Sequence, residues 1–212
     1  MNSEKERPDD SAQGHWDGVY SHKSEAERSW SESVPAASLE LIAAAGVQPD
    51  DAIVDVGGGA SRLVDALLER KFTDLTVLDL SSSALEQAAA RLGAQAAGVD
   101  WLAADIRQWR PERQYRLWHD RALFHFLTEE QQRSAYRETL RHAMLSGGFA
   151  IIATFAQDGP ERCSGLPVCR YAPPTLAEAV GPDFSLIESR RVEHHTPWGS
   201  IQPFLYGLFQ RV

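Results

Sequence analysis

Two spacings of apolar residues alternate along this chain. Short apolar runs at 52–56, 75–79, 100–103, 116–120 and 149–155 have the length and β-branched content of buried strands. Between them the apolar positions recur every three to four residues. Leu63, Val64, Leu67 and Leu68 form one face of a helix over 61–70, and Leu85, Ala88, Ala89 and Leu92 form one over 83–92. Ser83 and Glu86 have capping-box spacing at the start of the second helix, and Thr128 and Gln131 repeat it before a third. Tyr136, Leu140, Ala143 and Met144 give that third helix its core face, and Ser146-Gly147-Gly148 ends it. A further helix over 38–45 stops near Gly46. A proline-bearing loop over 157–174 leads to a short helix starting at Thr175 and stopped by Gly181. The segments 185–192 and 203–210 read as a closing antiparallel pair. Strands alternating with helices make an α/β domain.

The first strand ends in an unusual way. Ile53-Val54-Asp55-Val56 runs into Gly57-Gly58-Gly59 and then a helix. Glycines there permit a sharp turn and the close approach of a ligand to the main chain. A strand, a Gly-rich turn and a helix start form the nucleotide-cofactor crevice of an open α/β sheet. A dinucleotide fingerprint needs a small residue where Arg62 stands, and no Gly-Lys-Ser/Thr follows to make a phosphate loop. Two more strands end in acids. Asp79 lies about 20 residues past the glycines, the distance of a ribose-binding acid. Its alternative reading is an acid at a helix N-terminus. Asp105 follows the next strand, and alone would read as an ordinary loop acid.

The pattern apolar-Asp-apolar-Gly-Gly-Gly, with the acids at Asp79 and Asp105, resembles motif I and its successors in the class I S-adenosylmethionine-dependent methyltransferases. The resemblance spans about Asp17 to the C-terminus. It implies a three-layer Rossmann-like sandwich with a mostly parallel seven-stranded sheet ending in an antiparallel strand pair. It also implies S-adenosylmethionine as cofactor. Gly57, Gly58 and Gly59 would then shape the turn at the methionine moiety, with Asp55 near its amino group. Asp79 and Leu80 would hold the ribose, and Asp105 with Ile106 the adenine. Trp16, Tyr20 and Trp30 would close over the methionine end, where aromatic faces attract a sulfonium. Their alternative role is to anchor the N-terminal arm on the sheet.

The acceptor is less legible. Ligands in this fold bind beyond the carboxyl ends of the strands, so Trp118-His119-Asp120-Arg121 and the following His125 are candidates for acceptor chemistry. A histidine can take a proton near neutral pH. His125 and Asp120, with His194 and His195 from the loop expected between the last two strands, are read as lining the acceptor site. Phe124, His125 and Phe126 equally suit a cover over the sulfonium, and Asp120 an ion pair with Arg121. Asp120-Arg121 stands where lysine methyltransferases acting on elongation factors and citrate synthase carry an acid and a base, and His15-Trp16-Asp17-x-x-Tyr20 is also similar to theirs. Arg121 replaces their lysine. A small-molecule acceptor is expected, with protein lysine as runner-up. A non-catalytic binding module and an NAD-linked dehydrogenase are the rivals from other classes.

Composition narrows the partners. A formal net charge of −9 disfavours a phosphate backbone, and no apolar run approaches the roughly 20 residues that span a bilayer. Neither nucleic acid nor membrane is expected as a partner. Cys163 and Cys169 are the only cysteines, too few for a disulfide scaffold, and with no signal peptide they suggest the cytoplasm. Their spacing is not that of a zinc site, so no metal is expected. Residues 1–14 read as a polar disordered tail and 15–212 as a single domain.

Overall fold

The computed structural model describes residues 12–212, so the expected tail falls almost wholly outside the described residues. Helix α1 (Ala12–His22) begins the described chain, followed by α2 (Ala36–Ala44). An alternating series follows: β1 (Ile53–Val56), α3 (Leu63–Glu69), β2 (Leu75–Asp79), α4 (Ser82–Leu92), β3 (Val99–Ala103), β4 (Tyr115–Arg121), α5 (Glu130–Ala143) and β5 (Met144–Phe155). A small hairpin, β6 (Arg162–Cys163) and β7 (Leu166–Pro167), precedes α6 (Pro173–Val180), β8 (Phe184–His195) and β9 (Ile201–Arg211).

The seven-stranded sheet has the order β3-β2-β1-β4-β5-β9-β8. β9 runs antiparallel to both β5 and β8, so it alone opposes the other six. The order reverses between β1 and β4, which leaves a crevice beyond the carboxyl ends of these two strands. β1 is buried along its whole length because both faces of the sheet are covered. Ile53, Leu117 and Ile151 pack on one face with Leu41 and Leu63 of α2 and α3. Val54, Trp118 and Ile152 pack on the other with Leu140 of α5 and Leu176 of α6.

Several boundaries differ from the sequence reading, each for a local reason. Ser81, not Ser83, caps α4, because its side chain accepts from the Ala84 amide. The chain spends residues 124–126 on a 3-10 turn, and the Thr128 amide bonds back to Phe126. The capping box of α5 is therefore Glu129 with Gln132, one residue later than expected. β5 starts five residues early, at Met144, and Ser146-Gly147-Gly148 is a bulge inside it. The register there jumps from Tyr115↔Met144 to Leu117↔Phe149. β8 extends to His195, so His194 and His195 stand on a strand; the turn is only 196–200, closed by Thr196 and Ser200.

Leu140 is fully buried between α5 and the sheet. Leu140→Ala should destabilise the chain by about 2–5 kcal/mol, measured by urea unfolding.

Candidate active site

The turn after β1 has no room for side chains. Gly57 and Gly59 sit at φ of +66° and +48°. A Cβ on Gly57 would lie 2.8 Å from Leu123, and one on Gly58 2.7 Å from the Asp55 carboxylate. One on Gly59 would collide with the Tyr20 hydroxyl. The bare main chain is thus enclosed by β1 itself, by the segment after β4 and by the N-terminal arm.

Beneath the turn, Asp55 is the register partner of His119 on β4. Both side chains leave the same face of the sheet, and His119 Nδ1 lies 2.7 Å from Asp55 Oδ1. His119 Nε2 lies 2.9 Å from Ser38 Oγ of α2. This buried relay fixes Asp55 at the wall of a small cavity of about 40 Å³ that Arg28, Trp30 and Arg121 also line. Arg28 is buried and stacks on the Tyr20 ring, 4.9 Å from its centroid.

Asp79 ends β2 beside the glycines and is buried. Burial pushes its carboxyl up to about 7; donation from the Ser81 and Gly59 amides opposes that, and the negative Asp55 and Asp17 add to it. Asp105 lies farther along the rim. Hydrogen bonds from Arg107 hold its carboxyl below the usual range, with the guanidinium at 2.5 Å. Asp79, Leu80, Asp105 and the buried Ile106 line one end of a cleft of about 270 Å³. Gly57 and Leu123 lie on its course, and Trp16, Tyr20, Trp30, Phe126 and the β6–β7 hairpin line the rest. Seven of the ten residues read as cofactor-binding therefore line the cleft; Gly58 and Asp55 face the small cavity next door, and Gly59 lies against Tyr20 and Asp79.

The residues read as acceptor-lining do not face this cleft. Asp120 points to the opposite face of the sheet from Arg121, as successive strand residues must. Its carboxylate accepts from the Leu123 and Phe124 amides at 3.0 and 3.2 Å and from the Tyr136 hydroxyl at 2.7 Å. Burial pushes it up to about 6. It shapes the 124–126 turn and makes no pair with Arg121, whose partner is Glu32 at 2.9 Å. His125 is fully buried between Phe126 and Phe155, and its Nδ1 accepts from the Phe155 amide. Burial, helped by Arg121, pushes its imidazole down to about 3. His125 lines neither the cleft nor the small cavity, so its ring is not presented to a ligand there. His194 Nε2 donates to the Ser29 carbonyl at 2.5 Å, and exposed His195 lines an outer groove with Glu25 and Pro197. Cys163 does line the cleft, and burial pushes its thiol up to about 11.

Trp30 is read from the sequence with Trp16 and Tyr20 as a cover for the methionine end, and Arg28 and Glu32 not at all. They lie in a polar stretch with no periodicity, so only tertiary contacts reveal them. The Asp55–His119 pair had a signal, since each is the last residue but one or two of a neighbouring parallel strand.

Comparison with known proteins agrees with this geometry. Residues 53–147 match the methyltransferase domain family. A structure from work on the conversion of a disulfide bond into a thioacetal group during echinomycin biosynthesis aligns at a TM-score of 0.78 and 20% identity, over 95% of this chain and 93% of that one. An S-adenosylmethionine-dependent methyltransferase from Anabaena variabilis aligns over 100% of both chains at a TM-score of 0.74 and 16% identity. A 1,6-didemethyltoxoflavin N1-methyltransferase from Burkholderia thailandensis aligns at 0.66 and 20% identity, over 93% and 84%. No curated protein shows significant similarity to the chain. Residues 53–147, which carry the glycine turn and the three strand-end acids, therefore match a methyltransferase domain, and the fold around them is the one seen in S-adenosylmethionine-dependent methyltransferases.

Two predictions follow from the carboxylates. Ribose hydroxyls donate best to an ionised Asp79, so calorimetry with S-adenosylhomocysteine should show affinity falling as pH drops from 8 to 6, and Asp79→Ala should weaken binding about 10- to 100-fold at pH 8. Asp120→Ala leaves two amides and a hydroxyl without their acceptor. It should cost about 1–3 kcal/mol or more in urea unfolding.

Proposed function

We propose that this chain is an S-adenosylmethionine-dependent methyltransferase that methylates a small molecule held against the aromatic wall of the cleft. The observation that carries the reading is the wall itself. Trp16 meets Trp30 and Phe126 edge to face, with ring centroids 6.0 and 5.1 Å apart, and Cys163, Leu166 and Pro167 of the β6–β7 hairpin line the same cleft. Aromatic and aliphatic lining under a short hairpin suits a small, largely apolar ligand. The Burkholderia relative was solved with bound 1,6-didemethyltoxoflavin and S-adenosylhomocysteine, which supports the same reading. Protein lysine has less support, because the carboxylate at Asp120 that would receive an amine is spent on Leu123, Phe124 and Tyr136.

Within this reading Asp79 holds the ribose, and Asp105 with Ile106 meets the adenine. Asp55 and Arg28 face the amino and carboxylate groups of the methionine end. The glycine turn admits the cofactor because no Cβ stands there. The bound cofactor supplies an electrophilic methyl on a sulfonium. An acceptor held against Trp16, Trp30 and Phe126 would present its lone pair to that methyl. The walls align the two reactants and exclude water. Trp16, Trp30 and Phe126 offer aromatic faces and edges to a cation at the boundary between the two ligands. Burial keeps the Cys163 thiol protonated, so this nucleophile in the wall does not compete for the methyl group.

Labelled S-adenosylmethionine incubated with fractionated cell extract tests the acceptor class. Label in the small-molecule fraction is expected. Label confined to protein would select lysine methylation, and label nowhere despite cofactor binding would select a binding module. With the acceptor identified, Phe126→Ala should raise its KM about tenfold and leave S-adenosylhomocysteine affinity within about twofold.

A further inference from the structure

The strap formed by residues 28–34 crosses the site between α1 and α2, and groups from β4 and β8 tie it down. Arg121, at the end of β4, donates to the Trp30 carbonyl at 2.8 Å and pairs with Glu32 at 2.9 Å. Its Nε donates to the Tyr206 hydroxyl of β9, and its guanidinium lies over the Phe204 ring. His194 of β8 donates to the Ser29 carbonyl and places Nδ1 3.3 Å from Glu32. The side chains of Arg121 and His194 are only 11% and 4% exposed, so water screens this cluster little.

The clasp acts on ligand-facing groups. Trp30 lines both the main cleft and the small cavity beside the glycines. Its ring meets Trp16 and Tyr20, and Tyr20 stands where a Cβ on Gly59 would be. A second set of bonds holds the other end of the arm: Ser81 donates to Asp17 at 2.6 Å, and Arg62 pairs with Glu25 at 2.8 Å. The arm therefore roofs the glycine turn.

We propose that Glu32 and His194 are positioning residues that, through Arg121 and Ser29, latch the 28–34 strap and Trp30 over bound cofactor and so set its rate of release. The proposal rests on the glycine turn being the cofactor site. Neither residue lines the main cleft among the described residues; Glu32 lines the small cavity beside Trp30 and Arg28, and His194 reaches the strap through Ser29 and Glu32. The latch differs from a uniform binding contact because breaking it should speed dissociation much more than it slows association.

The test is stopped-flow release of S-adenosylhomocysteine from the full chain, followed by tryptophan fluorescence, with Glu32→Gln, His194→Ala and the double variant. Each single variant should release the ligand about tenfold faster than wild type. The double variant should add little, since both substitutions open one latch. Hydrogen exchange supplies a second readout: binding should slow exchange at residues 29–34 in the wild type, and much less so in Glu32→Gln. Thermal unfolding and near-ultraviolet circular dichroism of the ligand-free variants identify a variant that fails to fold, and the exchange of wild-type chain then decides. Release within about twofold of wild type from folded variants, or no change in exchange at 29–34 on binding to the wild type, overturns the latch alone. A wild-type chain that binds no S-adenosylhomocysteine overturns the cofactor site, and the latch with it.

Discussion

Three successive residues after β1 can carry no side chain, and the site is organised around that bare stretch of main chain. Each glycine is closed off by a different part of the molecule: Leu123 from beyond β4, Asp55 from β1, and Tyr20 from the arm. A substituent at any of the three would push one wall of the crevice outward. The constraint also explains why the turn lies at the reversal between β1 and β4. Only there do the crossover connections part and leave the strand ends open to a ligand.

β4 shows how the alternation of a strand divides labour. His119 and Arg121 leave one face, where the first braces Asp55 and the second fastens the arm. Asp120 leaves the other face and joins Trp118 and Tyr136 in a buried chain of hydrogen bonds that shapes the next turn. A buried carboxylate is tolerable because three donors satisfy it. The neighbours Asp120 and Arg121 look like an ion pair when written in one line. The geometry of a strand prevents them from being one.

The convergence of most residues read as cofactor-binding on one cleft was legible because their placement is local. Asp55, the glycines, Asp79 and Asp105 each sit at the end of a strand, and strands can be recognised from short apolar runs. A parallel sheet then brings their ends to one rim without further information. The acceptor half was not legible, because burial decides it. His125 follows a strand end and looks available, yet the packing of Phe126 and Phe155 encloses it. His194 was expected in a loop, and the three residues by which β8 runs past 192 turn it inward to Ser29. Cys163 reaches the cleft through a two-residue hairpin too short to leave a periodic signature. Glu32 gains its role from Arg121, 89 positions away in the chain by numbering.

A crystal structure with S-adenosylhomocysteine bound tests the central claim most directly. The account expects both ribose hydroxyls on Asp79, the amino-acid end beside Gly57–Gly59 and Arg28, and the sulfur facing Trp16, Trp30 and Phe126. An adenosyl group bound elsewhere, or with its sulfur turned away from that aromatic wall, would contradict it.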